Sequence, residues 1–310
     1  MTVEYESDFT ADDFEKMLGV TSLPQKCLDV IKERNLKYHQ LSQVEREGKM
    51  LDTLHYLEEE LPVSGPKRKP RWEQGWGENC QDYIDSGYQE DALIPGYYRR
   101  GANDMRMFGD YILPQDDFFE ISCLKVIHAW LSATYLKDMK HVYEFGCGPA
   151  HNLYAFAKED PSKTYWGMDW TEASQRTIAE IAKATGWNIN GKNFDMFHPP
   201  KNFNVEPGAA VLTIGMMEQA GTNFGAFADY LLKQDANFFL HIEPIVELHD
   251  ETNLFDYLGA KFMRKRNYLD GYLDHLRQLE RDNVIEIENC RTLMGSAYYY
   301  GWNLIIWRKK

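Results

Sequence analysis

The chain has 310 residues, 44% apolar and 26% charged, with 34 Lys and Arg against 48 Asp and Glu and a net charge of −14. That mix excludes wholesale disorder and collagen-like order, and the length is ample for one large domain or two modest ones. The acidic balance disfavours nucleic-acid binding, which rests on Lys and Arg displacing counterions; no apolar stretch, the longest being residues 209–217, is long enough to cross a bilayer.

The first residues, MTVEYESDFTADDFE, carry six acids before the first basic residue. They lack the basic and apolar regions of a secretory leader. The five cysteines (Cys27, Cys80, Cys123, Cys147 and Cys290) are scattered and form no C-x-x-C pair. A disulfide framework or structural zinc site is not expected. The expectation is a cytoplasmic protein with reduced thiols, no metal and no membrane partner.

Residues 1–115 read as a mainly helical and irregular N-terminal cap. Apolar residues recur at helical spacing through residues 23–61, at Leu28 and Ile31, Leu41 and Val44, then Leu51, Leu54, Leu57 and Leu61. Gly48 is expected to split this stretch in two. Pro62, Gly65, Pro66 and Pro70 then mark a loop. Lys67, Arg68, Lys69 and Arg71 make it basic, either as a solvated linker or as a contact for an anion. Two aromatic, glycine-hinged stretches follow, one with Trp72 and Trp76, the other with Tyr97, Tyr98, Arg99 and Arg100. Packing is their ordinary use, but such segments also make lids and ligand walls. Tyr97, Tyr98, Arg99 and Arg100 are the candidate substrate contacts.

Residues 116–310 alternate between two periods. An amphipathic helix is expected over 117–136. Strands are expected at 141–146, 164–169, 187–195, 209–216, 237–243, 284–291 and 299–307, and helices at 150–158, 172–185, 224–233 and 252–281. Strand followed by helix, repeated, implies a parallel sheet covered on both faces. The last two strands are joined too closely to be parallel, so they form an antiparallel hairpin. The expected architecture is α/β and Rossmann-like: a mostly parallel seven-stranded sheet with a terminal hairpin.

The strongest signal is Val142-Tyr143-Glu144-Phe145-Gly146-Cys147-Gly148-Pro149-Ala150. It reads as a strand, a glycine turn and a helix start. Gly146 permits the tight turn, and Gly148 lets a ligand approach the backbone. The free N–H groups of the helix end suit a negatively polarised group. Asp169 closes the next strand, 21 residues beyond Gly148. An acid about 20 residues on can accept hydrogen bonds from ribose hydroxyls. Asp195 closes the third strand, where it could accept from an adenine amino group while Met196 and Trp170 flank the ring. The ligand so described is an adenosine. A dinucleotide fingerprint wants a third glycine, and none is present. Glu144 would repel a pyrophosphate but attract an ammonium.

Together these residues and the terminal hairpin resemble the class I S-adenosylmethionine-dependent methyltransferases, over about residues 117–310. The resemblance implies S-adenosylmethionine as cofactor and S-adenosylhomocysteine as product. Glu144, Gly146 and Gly148 would then line the methionine and ribose, Asp169 would hold the ribose, and Asp195 and Met196 would read the adenine. The strand end at Ile214-Gly215-Met216 would face the sulfonium. Ala150 stands where many members carry another glycine. The stretch around Glu243-Pro244 and Arg266-Asn267-Tyr268-Leu269 looks like that of sugar or small-metabolite methyltransferases.

Candidate bases stand at strand ends: Glu218 after the fourth strand, and His241 and Glu243 on one side of the fifth. His249 follows on the next loop. The leading expectation is methyl transfer to oxygen or nitrogen of a small molecule, a sugar or an anionic metabolite among the options. Arg99, Arg100 and Arg106, with Lys261, Arg264, Lys265 and Arg266, are candidates to frame an anionic acceptor. The competing readings are a protein- or RNA-modifying methyltransferase, a non-catalytic partner that binds the cofactor, and an aminopropyltransferase. A homo-oligomer is compatible with each.

Overall fold

The computed structural model describes residues 7–99, the Arg99 side chain excepted, and 103–310. Arg100 and the side chain of Arg99, two of the expected substrate contacts, therefore lie outside the described residues. In chain order the first part contains β1 (Ser7–Asp8), α1 (Ala11–Leu18), α2 (Gln25–Lys32), β2 (Lys37–Gln40), α3 (Gln43–Glu58), α4 (Lys69–Asp85), β3 (Met105–Met107) and β4 (Asp110–Pro114). The second part continues with α5 (Phe119–Leu131), β5 (His141–Phe145), α6 (His151–Glu159), β6 (Thr164–Asp169), α7 (Glu172–Thr185), β7 (Ile189–Asn193), β8 (Ala209–Ile214) and α8 (Gly225–Lys233). It closes with β9 (Ala236–Glu243), α9 (Leu254–Lys265), α10 (Tyr272–Arg281), β10 (Ile285–Ser296) and β11 (Trp302–Lys309).

The fold is α/β, as the alternation of periods implies. The seven expected strands lie side by side as β10-β11-β9-β8-β5-β6-β7, but the sheet does not stop there. It runs on through β3, β4 and β2 to β1, giving eleven strands in one mixed sheet. This corrects one expectation: the sheet is not a mostly parallel seven-stranded one. The N-terminal residues, mostly helical, add four short strands to its edge. Strand β3 joins the two parts by pairing Met105–Met107 antiparallel to residues 294–296 of β10. Strands β5 to β9 are mutually parallel, and β11 runs antiparallel to both β9 and β10.

The core follows the two-residue period of the strands. Val142, Leu212, Leu240, Ile242, Leu304 and Ile306 pack on one face, with α5 and α6 residues such as Leu124, Ile127, Leu153 and Phe156. Tyr143, Phe145, Val211, Phe239, Ile305 and Trp307 pack on the other, with Phe227 and Leu231 of α8 and Tyr272 and Leu276 of α10. Helix α5 is expected to be amphipathic, yet every residue from Ile121 to Leu131 except Lys125 is buried. It lies between the sheet and α2, so it has no solvent stripe to keep polar.

Three further local readings change. Gly48 does not divide α3, which is continuous and begins with a capping box between Ser42 and Glu45. The stretch with Trp72 and Trp76 is helical, not loop: Pro70 sits in the first turn of α4, where its missing N–H costs nothing. The single helix expected at 252–281 is two, because Gly271 sits at a φ of 88° and starts α10 afresh.

Candidate functional site

The parallel strands end at one large cavity of about 1110 Å³. Ligand pockets commonly measure about 300–1,000 Å³, so this one has room for more than one small molecule. One side is the turn Gly146-Cys147-Gly148-Pro149, with Asp169, Trp170, Phe194, Met196, Gly215 and Met216. The opposite side comes largely from residues outside the expected parallel core: Arg68, Trp72, Trp76, Tyr97, Tyr98, Arg266, Tyr268 and Tyr299.

The glycine turn is built as its sequence requires. Gly146 and Gly148 take φ values of 71° and 53°, and Ala150 one of 60°. Positive φ is easy for glycine and costs an alanine energy. The Gly148 N–H donates to Asp169 Oδ2 at 3.0 Å. Thr171 donates to Oδ1 twice, from its N–H at 2.9 Å and its hydroxyl at 2.7 Å. A carboxylate offers about four acceptor positions. Three are taken, so Asp169 has room for one further donor, not the pair of hydroxyls that spacing alone allows. Burial raises its pKa above the usual carboxylate range.

Glu144 is fully buried at the end of β5. Its Oε1 accepts from Asn152 Nδ2 at 2.7 Å, and its Oε2 has no partner. Burial pushes its pKa up to about 8. Asn152 lines the cavity and turns its Oδ1 to His128 Nε2 at 3.0 Å, so His128 carries its proton on Nε2. A buried carboxylate oxygen with no donor, one amide away from a cavity, is the feature that fits a cationic ligand group.

On the next edge of the cavity, Trp170 and Met196 line it as expected, joined by Phe194. Asp195 does not line it. Its Oδ1 accepts from the Phe197 N–H and its Oδ2 pairs with His198, so it caps its own turn. The adenine contact expected of Asp195 is thus corrected. Gly215 lines the cavity at a φ of 68°, and nothing lies within 4 Å of where a Cβ would stand. A glycine there keeps that space open.

The two candidate bases of β9 face the wrong way. Ile242 and Pro244 line the cavity, so the period of two turns His241 and Glu243 to the opposite face. There the His241 ring meets Thr213 Oγ1 at 2.9 Å, and Tyr272 hydroxyl and Trp307 Nε1 at 3.0 Å each. An indole only donates, so His241 Nε2 accepts and the proton sits on Nδ1. Burial pushes its pKa down to about 3. Glu243 accepts from the backbone N–H groups of Met216 and Met217, both at 3.0 Å, and braces the turn after β8. Burial lifts its pKa to about 8. His249 lies beside Tyr300. We expect His241→Leu to lower stability by about 3 kcal/mol in denaturant unfolding, because three buried polar partners lose their bond. Binding in the cavity should be unchanged; a loss of binding without a loss of stability would return His241 to the site.

Glu218 does line the cavity. Burial raises its pKa, and Gln219 Nε2 donates to it at 2.7 Å. The Tyr97 and Tyr98 rings lie 4.5 Å apart and tilted at 53°, and Tyr98 lies 6.2 Å from Trp302. Trp302, Glu120 and His151 also line the cavity and carry no distinctive spacing in the sequence. Trp302 Nε1 donates to Glu120 at 2.6 Å. The helix α4 covers the glycine turn: Trp76 ring atoms stand 3.1 Å from where a Gly148 Cβ would be. On the same helix Glu73 accepts from the N–H groups of Glu172 and Ala173, both at 2.8 Å, capping α7.

No family model and no curated protein matches the chain. Among solved structures, it is similar in fold to an rRNA methylase from Escherichia coli, at 12% identity over 78% of this chain and 77% of that one, with a TM-score of 0.44. It is also similar to an O-methyltransferase from neocarzinostatin biosynthesis, in complex with S-adenosylmethionine and 2-hydroxy-5-methyl naphthoic acid, at 11% identity over 62% and 58%, TM-score 0.41. A third is an O-methyltransferase family 2 protein from Planctomyces limnophilus in complex with apigenin, at 13% over 62% and 60%, TM-score 0.43. The chain spans about three fifths of the length of these last two. Likenesses this distant carry no argument about acceptor or chemistry.

Proposed function

We propose that the chain is a methyltransferase that moves a methyl group from S-adenosylmethionine to oxygen or nitrogen of a small-molecule acceptor. The observation that carries this is the continuity of one cavity. Its glycine-turn side offers Asp169, Asn152 with Glu144 behind it, and an aromatic slot, and its other side is walled by arginines and aromatic rings. Residues 116–310 hold the cofactor, and residues 1–115 supply much of the acceptor wall. The free cysteines suit a cytoplasmic setting.

When bound, the cofactor supplies a sulfonium-activated methyl group. Asp169 would hold the ribose, and Trp170 and Met196 would flank the adenine. Glu144, held by Asn152, pairs with the ammonium of the methionine portion. Gly215 keeps the strand end bare where the methyl must pass. Glu218 takes the acceptor proton; its raised pKa brings it nearer neutrality, where a general base works best. The walls of Trp76, Tyr97 and Tyr98 exclude water and hold the acceptor in line.

The test is calorimetric titration with S-adenosylhomocysteine across pH, followed by labelling of a size-fractionated cell extract with methyl-labelled S-adenosylmethionine. Glu144 is largely neutral at pH 7, because its pKa is near 8. Pairing with an ammonium needs the carboxylate, so affinity should rise by about fiftyfold as the pH goes from about 6 to 8. The free protein shows the opposite sign. With a folded-state pKa above the unfolded value near 4.5, the stability from Glu144 is full below about pH 4.5 and lost as the pH rises through about 8. Label in the small-metabolite fraction supports the proposal. An absence of binding, or label on protein or RNA, overturns it.

A further inference from the structure

The acceptor side of the cavity gathers basic side chains, and the Glu218 carboxylate acts through space on two of them, Arg68 and Arg266. Arg68, Arg71 and Arg266 line it, with Lys67 beside them. Arg68 and Arg71 come from the loop and helix start expected to be a linker, and Arg266 from the end of α9. Two hydrogen bonds stitch these segments together: Ser64 N–H donates to the Arg266 carbonyl at 2.8 Å, and Asn267 Nδ2 donates to the Ser64 carbonyl at 3.2 Å. The arginines are thus brought together by the fold, not by the chain.

Their partners are rings. The Arg68 guanidinium lies 5.5 Å from the Trp72 ring centre. That of Arg266 lies 5.1 Å from Tyr268 and 5.8 Å from Phe262. Among the described residues no carboxylate comes within 4.0 Å of any of the three. The Nε atoms of Arg68 and Arg266 are buried without a hydrogen-bond partner. A guanidinium held on a ring face keeps its in-plane N–H fork free for a planar or tetrahedral oxyanion. Two such forks beside one cavity would be a costly way to pack a surface, since buried donors without partners are destabilising.

Other basic residues of the sequence reading that the structure describes have different employment. Arg106 is fully buried and donates to the carbonyls of Phe255 and Ala297 and to Tyr111. Arg264 forms a bidentate pair with Glu251 and also reaches Asp270. Lys265 donates to the Leu57 carbonyl. Among the described residues of that group, only Arg266 lines the cavity.

We propose that the acceptor carries an oxyanion, a phosphate or carboxylate, attached to an aromatic or otherwise apolar body, and that Arg68 and Arg266 grip it with Arg71 at the rim. The inference rests on the methyl-transfer reading for the word acceptor, but the anion site stands on its own geometry. Trp72 and Tyr299 give the body its walls, and Glu218 stands on the same side as the base for the group to be methylated.

The test uses one ring with three charges. The protein, alone and saturated with S-adenosylhomocysteine, is titrated with phenyl phosphate, benzoate and benzyl alcohol. At least one anion should bind tenfold or more tighter than the alcohol, and that lead should fall about tenfold in Arg68→Gln and in Arg266→Gln, each losing charge-assisted bonds. Circular dichroism and thermal unfolding certify the fold of each variant. Phenyl phosphate ahead of benzoate assigns a phosphate ester; the reverse assigns a carboxylate. The inference is overturned if benzyl alcohol binds as tightly as the anions, if none of the three binds, or if the lead survives both substitutions. Failure of S-adenosylhomocysteine to bind would sink the methyl-transfer reading, while titrations on the protein alone would still decide the anion site.

Discussion

Replacing Asp169 with alanine should weaken S-adenosylhomocysteine binding by a hundredfold or more and destabilise the protein as well. The two losses have one cause. The carboxylate is 4% exposed and serves the Gly148 N–H and both donors of Thr171. Alanine leaves these buried donors unpaired, at about 1–3 kcal/mol each when nothing replaces the bond. The glycine turn then loses its anchor, and the proposed ribose partner is gone with it. A hundredfold in affinity corresponds to about 2.7 kcal/mol. Asp169→Asn separates charge from shape. Its amide oxygen can still serve Thr171, but its amide nitrogen would confront the Gly148 N–H, donor against donor. Binding should fall about as far, with a smaller loss of stability. Calorimetry and denaturant unfolding on both variants give the answer. Undiminished binding in a folded Asp169→Ala protein would remove the ligand from this end of the cavity.

Gly146→Ala should be among the most damaging single-methyl changes in the chain. Its φ is 71°, and an added Cβ would fall 2.0 Å from Met216 Cγ and 2.2 Å from Met216 Cβ. The first of these atoms can swing away; the second cannot, because the Met216 N–H is tied to Glu243. Left-handed backbone costs an alanine about 1–2 kcal/mol, and overpacking about 1–3 more. The sum suggests about 3–4 kcal/mol, or a melting temperature lower by roughly 5 °C for a chain of this size. Gly186→Ala supplies the comparison. It too has a positive φ, 72° at the end of α7, but nothing lies within 4 Å of its Cβ position. It should lose only the backbone part. Equal melting temperatures for the two variants would refute the packing account of Gly146.

How much of this was legible in the sequence depended on how local the chemistry is. The glycine turn, the acid ending β6 and the terminal hairpin are set by neighbouring residues, and they were readable. Strand β2 was not: Lys37-Tyr38-His39-Gln40 is polar and short, and it exists because β1 and β4 flank it. Helix α4 was hidden by Pro70, Gly75 and Gly77, which mimic a loop, while the packing of α4 on α7 outweighs that preference. His241 and Glu243 show a different limit. The period of two placed them on one face, but nothing in the sequence said which face met the cavity. The arginine cluster illustrates a third: Arg68 and Arg266 are almost 200 positions apart and become neighbours only through the fold.

Helix α4 makes the two ends of the cavity one thermodynamic object. Its Trp76 rests on Gly148, its Glu73 pins the first N–H groups of α7, and its Trp72 supports Arg68. A guest at either end that tightens or loosens this bar must alter the affinity of the other end, and by the same factor in both directions. Any displacement of α4 from α7 would break the Glu73 cap and leave the positive end of the α7 dipole to solvent.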